Sequence, residues 1–107
     1  MSFSCPYLSG EVELTSERER HIGESHPDLL PEHRDRIAET LASPDQVRIS
    51  QRLKNARLFS RRFDSIRGGN YVVVVMVSEG DTDRRHWIIT AYIARKLAGG
   101  EIEWKRN

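Results

Sequence analysis

The run Tyr71 to Val77, Tyr-Val-Val-Val-Val-Met-Val, constrains this chain more than any other stretch. It is β-branched and apolar at both parities, so it predicts a strand buried on both faces, and such a strand needs a neighbour on each side. The flanking sequence supplies them. Upstream, Arg57 to Phe63 places Leu58, Ser60 and Arg62 on one face and Phe59, Arg61 and Phe63 on the other, and Arg67-Gly68-Gly69-Asn70 has the residues that a reversal demands. Downstream, beyond a charged loop from Glu79 to Arg85, the stretch His86 to Ala94 alternates as well. Strict alternation puts Trp87, Ile89, Ala91 and Ile93 on one face and His86, Ile88, Thr90 and Tyr92 on the other.

Further strands are shorter. Val47 and Ile49 alternate with Arg48, Ser50 and Arg52 from Gln46 onward, and Lys54-Asn55-Ala56 reads as the following turn. Glu101 to Trp104, after Gly99-Gly100, reads as a short closing strand. Ahead of the sheet the period is helical. Ser16-Glu17-Arg18-Glu19 is a capping-box pattern that starts a helix near Ser16, which runs through His21 and is stopped by Pro27. Pro31 fits a first-turn position, and Leu30, Arg34, Ile37 and Leu41 recur at helical spacing until Ser43-Pro44-Asp45. Residues 1 to 10 read as a lead-in, with a short strand at Val12 to Leu14. The expected architecture is α+β: two N-terminal helices packed on a twisted, four- to five-stranded antiparallel sheet.

At 107 residues the chain is long enough for one core, so residues 1–107 are expected to form a single domain. A net charge of +1 argues against binding polyanions through bulk charge. The distribution matters more, because Arg48 to Arg67 holds seven Arg or Lys residues and one acid, Asp64. That zone suits a phosphate compound or nucleic acid, and the alternative is the solvated face of two adjacent strands. Cys5 is the only cysteine, so neither an internal disulfide nor a cysteine-rich zinc pattern exists. No apolar run is long enough to span a membrane, and the N-terminus lacks the basic start and apolar core of a signal peptide, so the expectation is cytoplasmic.

His26 is the imidazole that stands out. It precedes Pro27, and a residue before proline is pushed out of the helical region, so the ring falls at a helix C-terminus. Unsatisfied carbonyls there favour a protonated ring, which makes His26 a candidate general acid; the alternative is a surface histidine that caps the helix. His21 lies about 140° away around the helix and shares no face with it. With His33 and His86, and no carboxylate at ligand spacing, the four histidines suggest no metal site. Trp87 and Trp104 read as core residues.

Several short motifs occur together in one order: His21-Ile22, Ser25-His26-Pro27-Asp28-Leu29, Leu41-Ala42-Ser43-Pro44-Asp45-Gln46-Val47, Ser50-Gln51-Arg52, Leu58-Phe59-Ser60-Arg61, Tyr71 to Val77, and Thr90-Ala91-Tyr92. In this the chain resembles, over roughly residues 15 to 104, the phage-associated nuclease-like domains called PBECR, of the superfamily that links barnase, EndoU, colicin and RelE-type RNases. The resemblance implies helices packed on a twisted antiparallel sheet whose open face holds the site. It also implies metal-independent RNA cleavage without a cofactor, in which a ribose 2′-hydroxyl attacks the adjacent phosphorus. Such chemistry needs a base, an acid and cations around the phosphorane.

Carried over by position, His26 matches the family's Arg-His-Pro-Glu-like histidine, with Ser25 in place of the arginine and Asp28 in place of the glutamate. Arg52 matches the arginine of a Ser-Arg segment, with Gln51 inserted, and Arg48 is the alternative. Arg61 matches the arginine after an aromatic pair of which only Phe59 remains, and Arg62 is the alternative on the other face. Thr90 and Tyr92 match a Thr-x-Tyr pair. On this reading His26, Arg52, Arg61, Thr90 and Tyr92 form the catalytic set, and Arg48, Arg57, Arg62 and Lys96 contact the RNA. The expected function is an RNase-like nuclease with RNA as partner. The alternatives are a non-catalytic RNA- or protein-binding module and a toxin paired with a cognate inhibitor protein.

Overall fold

A computed structural model describes residues 1–80 and 84–107; residues 81–83 of the expected loop Glu79 to Arg85 lie outside the described residues. Among the described residues seven strands form one sheet: β1 (Ser2–Cys5), β2 (Gly10–Glu13), β3 (Gln46–Ile49), β4 (Ala56–Phe63), β5 (Asn70–Glu79), β6 (Arg85–Ala94) and β7 (Glu101–Lys105), with α1 (Ser16–Ser25) and α2 (Arg34–Ala42) between β2 and β3. The spatial order is β1-β2-β6-β5-β4-β3-β7, which puts the Val-rich run of β5 at the centre. The α+β class is as expected, but the sheet is larger and mixed. The lead-in supplies the hairpin β1–β2, and β2 joins the edge of β6 in parallel through Glu13 and Trp87.

Both helices cover one face. Thr15, rather than Ser16, caps α1, its hydroxyl accepting from the Arg18 amide at 3.2 Å. Pro31 lies before α2 rather than in its first turn, because residues 27–33 form turns in which the His26 carbonyl accepts from the Leu29 and Leu30 amides. These turns drop Leu29 and Leu30 into the core beside Ile22, Ile37 and Leu41. The sheet contributes Val47, Phe59, Phe63, Val72, Val74, Met76, Ile88 and Ala91 to the same layer, and β1 and β2 add Phe3, Cys5 and Val12. β1 thus lies in the sheet and in contact with α2, which the unpatterned composition of residues 1–10 did not suggest.

The opposite face is not open. The four antiparallel steps from β6 through β5, β4 and β3 to β7 leave β6 and β7 parallel and at distant positions, so the chain must cross the sheet between them. Ala94 lies beside Tyr71 and Arg62 at one end, while Glu101 lies beside Ile49 and Arg57 at the other. Residues 95–100 therefore run as a strap diagonally over the sheet, and Leu97 packs on a second apolar cluster of Ala56, Leu58, Val73 and Val75. The expected closing strand is real, but it pairs with β3 rather than extending a meander.

One irregularity in β6 changes which side chains share a side. Val75 pairs with Thr90 and Met76 with Ile88, so Ile89 is an extra residue in the ladder. Ile89 and Thr90 both project toward the strap side, and alternation restarts from there. His86 and Ile88 consequently share the helix side with Ala91 and Ile93, while Trp87, Thr90 and Tyr92 face the strap side. The expectation that His86, Thr90 and Tyr92 share a face is corrected by that single inserted residue.

Candidate functional site

His26 ends α1, its own amide donating to the Ile22 carbonyl at 2.6 Å. Because α1 packs against β6 beyond the short β2 pairing, its last turn hangs over the outer edge of β6. The His26 ring lies 6.0 Å from the Tyr92 ring, centroid to centroid, at an interplanar angle of 40°. Thr90 stands two residues back on the same side of β6, about 7 Å along the strand. All three are half-buried, so each keeps a solvent-facing part.

A cation completes this corner. Asp28, two residues past His26, accepts from Arg67 Nη2 at 3.1 Å. Arg67 belongs to the β4–β5 connection, which is fixed from below by Asn70, whose side-chain amide donates to the Ile66 carbonyl at 3.0 Å and the Arg67 carbonyl at 3.4 Å. In the sequence Arg67 reads as a turn residue of the basic zone. The signal that distinguishes it is the carboxylate at Asp28, which meets it only in three dimensions.

The remaining expected residues are distributed over the molecule. Arg52 lies exposed in the β3–β4 connection, two to three strands from β6 and so at least about 10 Å away. Arg61 lies on the helix side, opposite Thr90 and Tyr92, where it donates to the Ser43 carbonyl at the end of α2 at 3.0 Å and rests 5.4 Å from the Phe63 ring. Neither arginine joins His26. Arg48 is buried beneath the strap and donates from Nη1 to the Gly99 carbonyl; its Nε and Nη2 are buried and meet no partner among the described residues. Arg57 grips Glu103 through Nε at 2.8 Å and Nη2 at 3.4 Å. Arg62 is on the strap side, paired with Asp64, and Gly69 at φ +125 leaves room for it: a Cβ there would collide with the guanidinium. Lys96 is exposed on the strap itself.

Arg61 thus acts on the fold. Its positive charge meets the carbonyl end of α2, where cations are favoured, and a charge-assisted hydrogen bond of this kind contributes about 1.5–3 kcal/mol. Arg61→Ala is expected to lower unfolding stability by an amount of that order in urea titrations, and to leave any RNA cleavage per folded molecule unchanged.

Two further polar groups are tightly organised. Tyr7 donates to Glu103 at 2.7 Å, and burial followed by that contact pushes its hydroxyl up to about 12, while Arg57 holds the Glu103 carboxyl below its ordinary range. On the helix side, Ser78 and His86 are cross-strand partners, both buried, with Oγ and Nδ1 2.6 Å apart. Burial, then Arg84 and Arg57, lower the pKa of His86 below its ordinary 6.5. Below about pH 6.5 the unfolded chain takes up a proton that folded His86 resists, so stability falls as pH drops from there toward the folded pKa. The urea midpoint is expected to be lower at pH 5 than at pH 7.5, and His86→Gln is expected to remove that part of the difference.

Trp87 and Trp104 are not core residues. Trp87 is half-buried with the Arg85 guanidinium 5.7 Å from its ring, and Trp104 is 38% exposed against Tyr7. No group of three or more His, Cys, Asp or Glu among the described residues is placed to hold a metal ion. No helix among them is long and apolar enough to cross a membrane. Comparison with protein-family models, curated proteins and solved structures gives no match.

Proposed function

We propose that this chain is an RNase-like nuclease of the BECR type, cleaving RNA by attack of a ribose 2′-hydroxyl on the adjacent phosphorus. The observation that carries this reading is the corner where His26 overhangs Tyr92 at 6.0 Å and Asp28 holds Arg67 alongside. His26 takes the proton from the attacking 2′-hydroxyl and returns it to the 5′-oxygen that leaves as the P–O5′ bond breaks. Arg67 is 63% exposed at its side chain and offers its remaining donors to a phosphate. Thr90 and Tyr92 orient the substrate with their hydroxyls. In this assignment Arg67 takes the place that the resemblance gave to Arg52 and Arg61.

Incubating the purified chain with tRNA or total RNA in excess chelator tests the reading. The expected products end in 2′,3′-cyclic phosphate, and their formation depends on His26. If no cleavage appears above that of His26→Ala, nuclease action is overturned, and salt-sensitive RNA binding without turnover would mark a binding module on the same scaffold. A toxin role adds one expectation: production of the chain arrests growth unless an inhibitor protein accompanies it.

A further inference from the structure

Trp87 stands apart from the His26 corner. It sits on the strap side of β6 at the wall of a cleft of about 320 Å³ whose other walls are Glu13, Thr15, Glu17, Arg18 and Arg85. The cleft has one flat apolar wall and a rim of acceptors and cations. Arg85 is held in place twice, by Glu13 at 3.1 Å and by the indole face, and Arg18 reaches the Ile89 carbonyl at 3.5 Å. The cleft also lies in line with the corner described above. From Trp87 to Tyr92 along β6, with Ile89 adding no length, is about 13 Å, which an extended single strand covers in a few nucleotides.

Resting on the reading that RNA is the substrate, we propose that this cleft is a nucleobase subsite, in which a base of single-stranded RNA stacks on Trp87 while a phosphate a few nucleotides along the same strand lies at His26 and Arg67. An indole offers a stacking surface to any base, and arginines beside it attract the backbone. The carboxylates set the preference. Glu13 and Glu17 repel phosphate and accept hydrogen bonds, so they favour bases that carry an exocyclic amino group over uracil.

The test uses the full chain with His26→Ala, which leaves oligonucleotides uncut, and Trp104→Phe, which makes Trp87 the only tryptophan of the two present. Short oligo-A, oligo-C and oligo-U are titrated against its fluorescence. The expected result is quenching, with oligo-A and oligo-C tighter than oligo-U. In the His26→Ala chain, Trp87→Ala is expected to weaken binding about 5- to 150-fold and Trp87→Phe much less. Since the quenching is read with the indole intact, a misfolded Trp87→Ala variant does not obscure it. Binding without quenching, or no binding, overturns the subsite while leaving His26-dependent cleavage to stand or fall separately. Quenching by a chain whose wild type cleaves nothing keeps the subsite and removes the nuclease reading.

Discussion

Replacing His26 with alanine is expected to cut chelator-resistant RNA cleavage by about 10²–10⁴-fold, the range that a positioned proton-transfer group contributes. The fold should tolerate the change. The ring is half-buried at the edge of β6, and the capping of α1 rests on the His26 backbone, whose amide and carbonyl an alanine retains. A urea midpoint within error of wild type, together with the lost activity, therefore separates chemistry from stability. Arg67→Ala is the companion, because its side chain is exposed and its ion pair with Asp28 is of the surface kind that contributes little to stability.

The largest effect on the fold is expected at Phe59. It is fully buried at the middle of β4, between the β3 and β5 pairings, and the Tyr7 ring meets it edge-on at 5.7 Å. Phe59→Ala removes that contact and leaves a cavity, at a cost of about 3–5 kcal/mol. A domain of this size has a total stability of about 5–15 kcal/mol, so the variant stands near the limit of folding. Denaturant unfolding of Phe59→Ala beside Trp104→Ala checks it, since Trp104 is partly exposed and its loss is expected to cost much less.

How much of this was legible in the sequence follows from which forces decide each feature. β4 and β5 were legible, including the two faces of β4, because burial on opposite sides writes a period of two into the residues themselves. α1 was legible from its polar start near Ser16 and from Pro27, although the cap is Thr15, one residue ahead of the capping-box pattern. β1 was not, since its four residues hold only Phe3 and Cys5 inward and owe their place to pairing with β2. The path of residues 95–100 was not either, because a strap of Arg95, Lys96, Leu97 and Ala98 shows no sign of which strand it will reach.

The site divides in the same way. That His26 meets the edge carrying Tyr92 follows from a helix ending at Pro27 and from the strand that α1 covers. The partnership of Asp28 with Arg67 spans 39 residues and leaves no mark at either position. Arg61 was placed beside the phosphate by motif alone, although its own alternation with Phe59 and Phe63 puts it on the helix side. There the carbonyl end of α2 supplies its partner. Trp87 and Trp104 show the limit of reading hydrophobic character as depth, because an indole at a sheet edge keeps one face in water.

The extra residue in β6 gives this strand an unequal tolerance to change in length. Excising Ile89 would leave an uninterrupted ladder in which Trp87, Thr90 and Tyr92 still face the strap and Ile88 and Ala91 still face the helices. Excising Ala91 instead would turn Tyr92 toward the helix-side core and Ile93 toward the strap side, separating the Tyr92 ring from the imidazole that overhangs it. β6 therefore carries one spare residue, and on its far side a single deletion would turn the strand inside out.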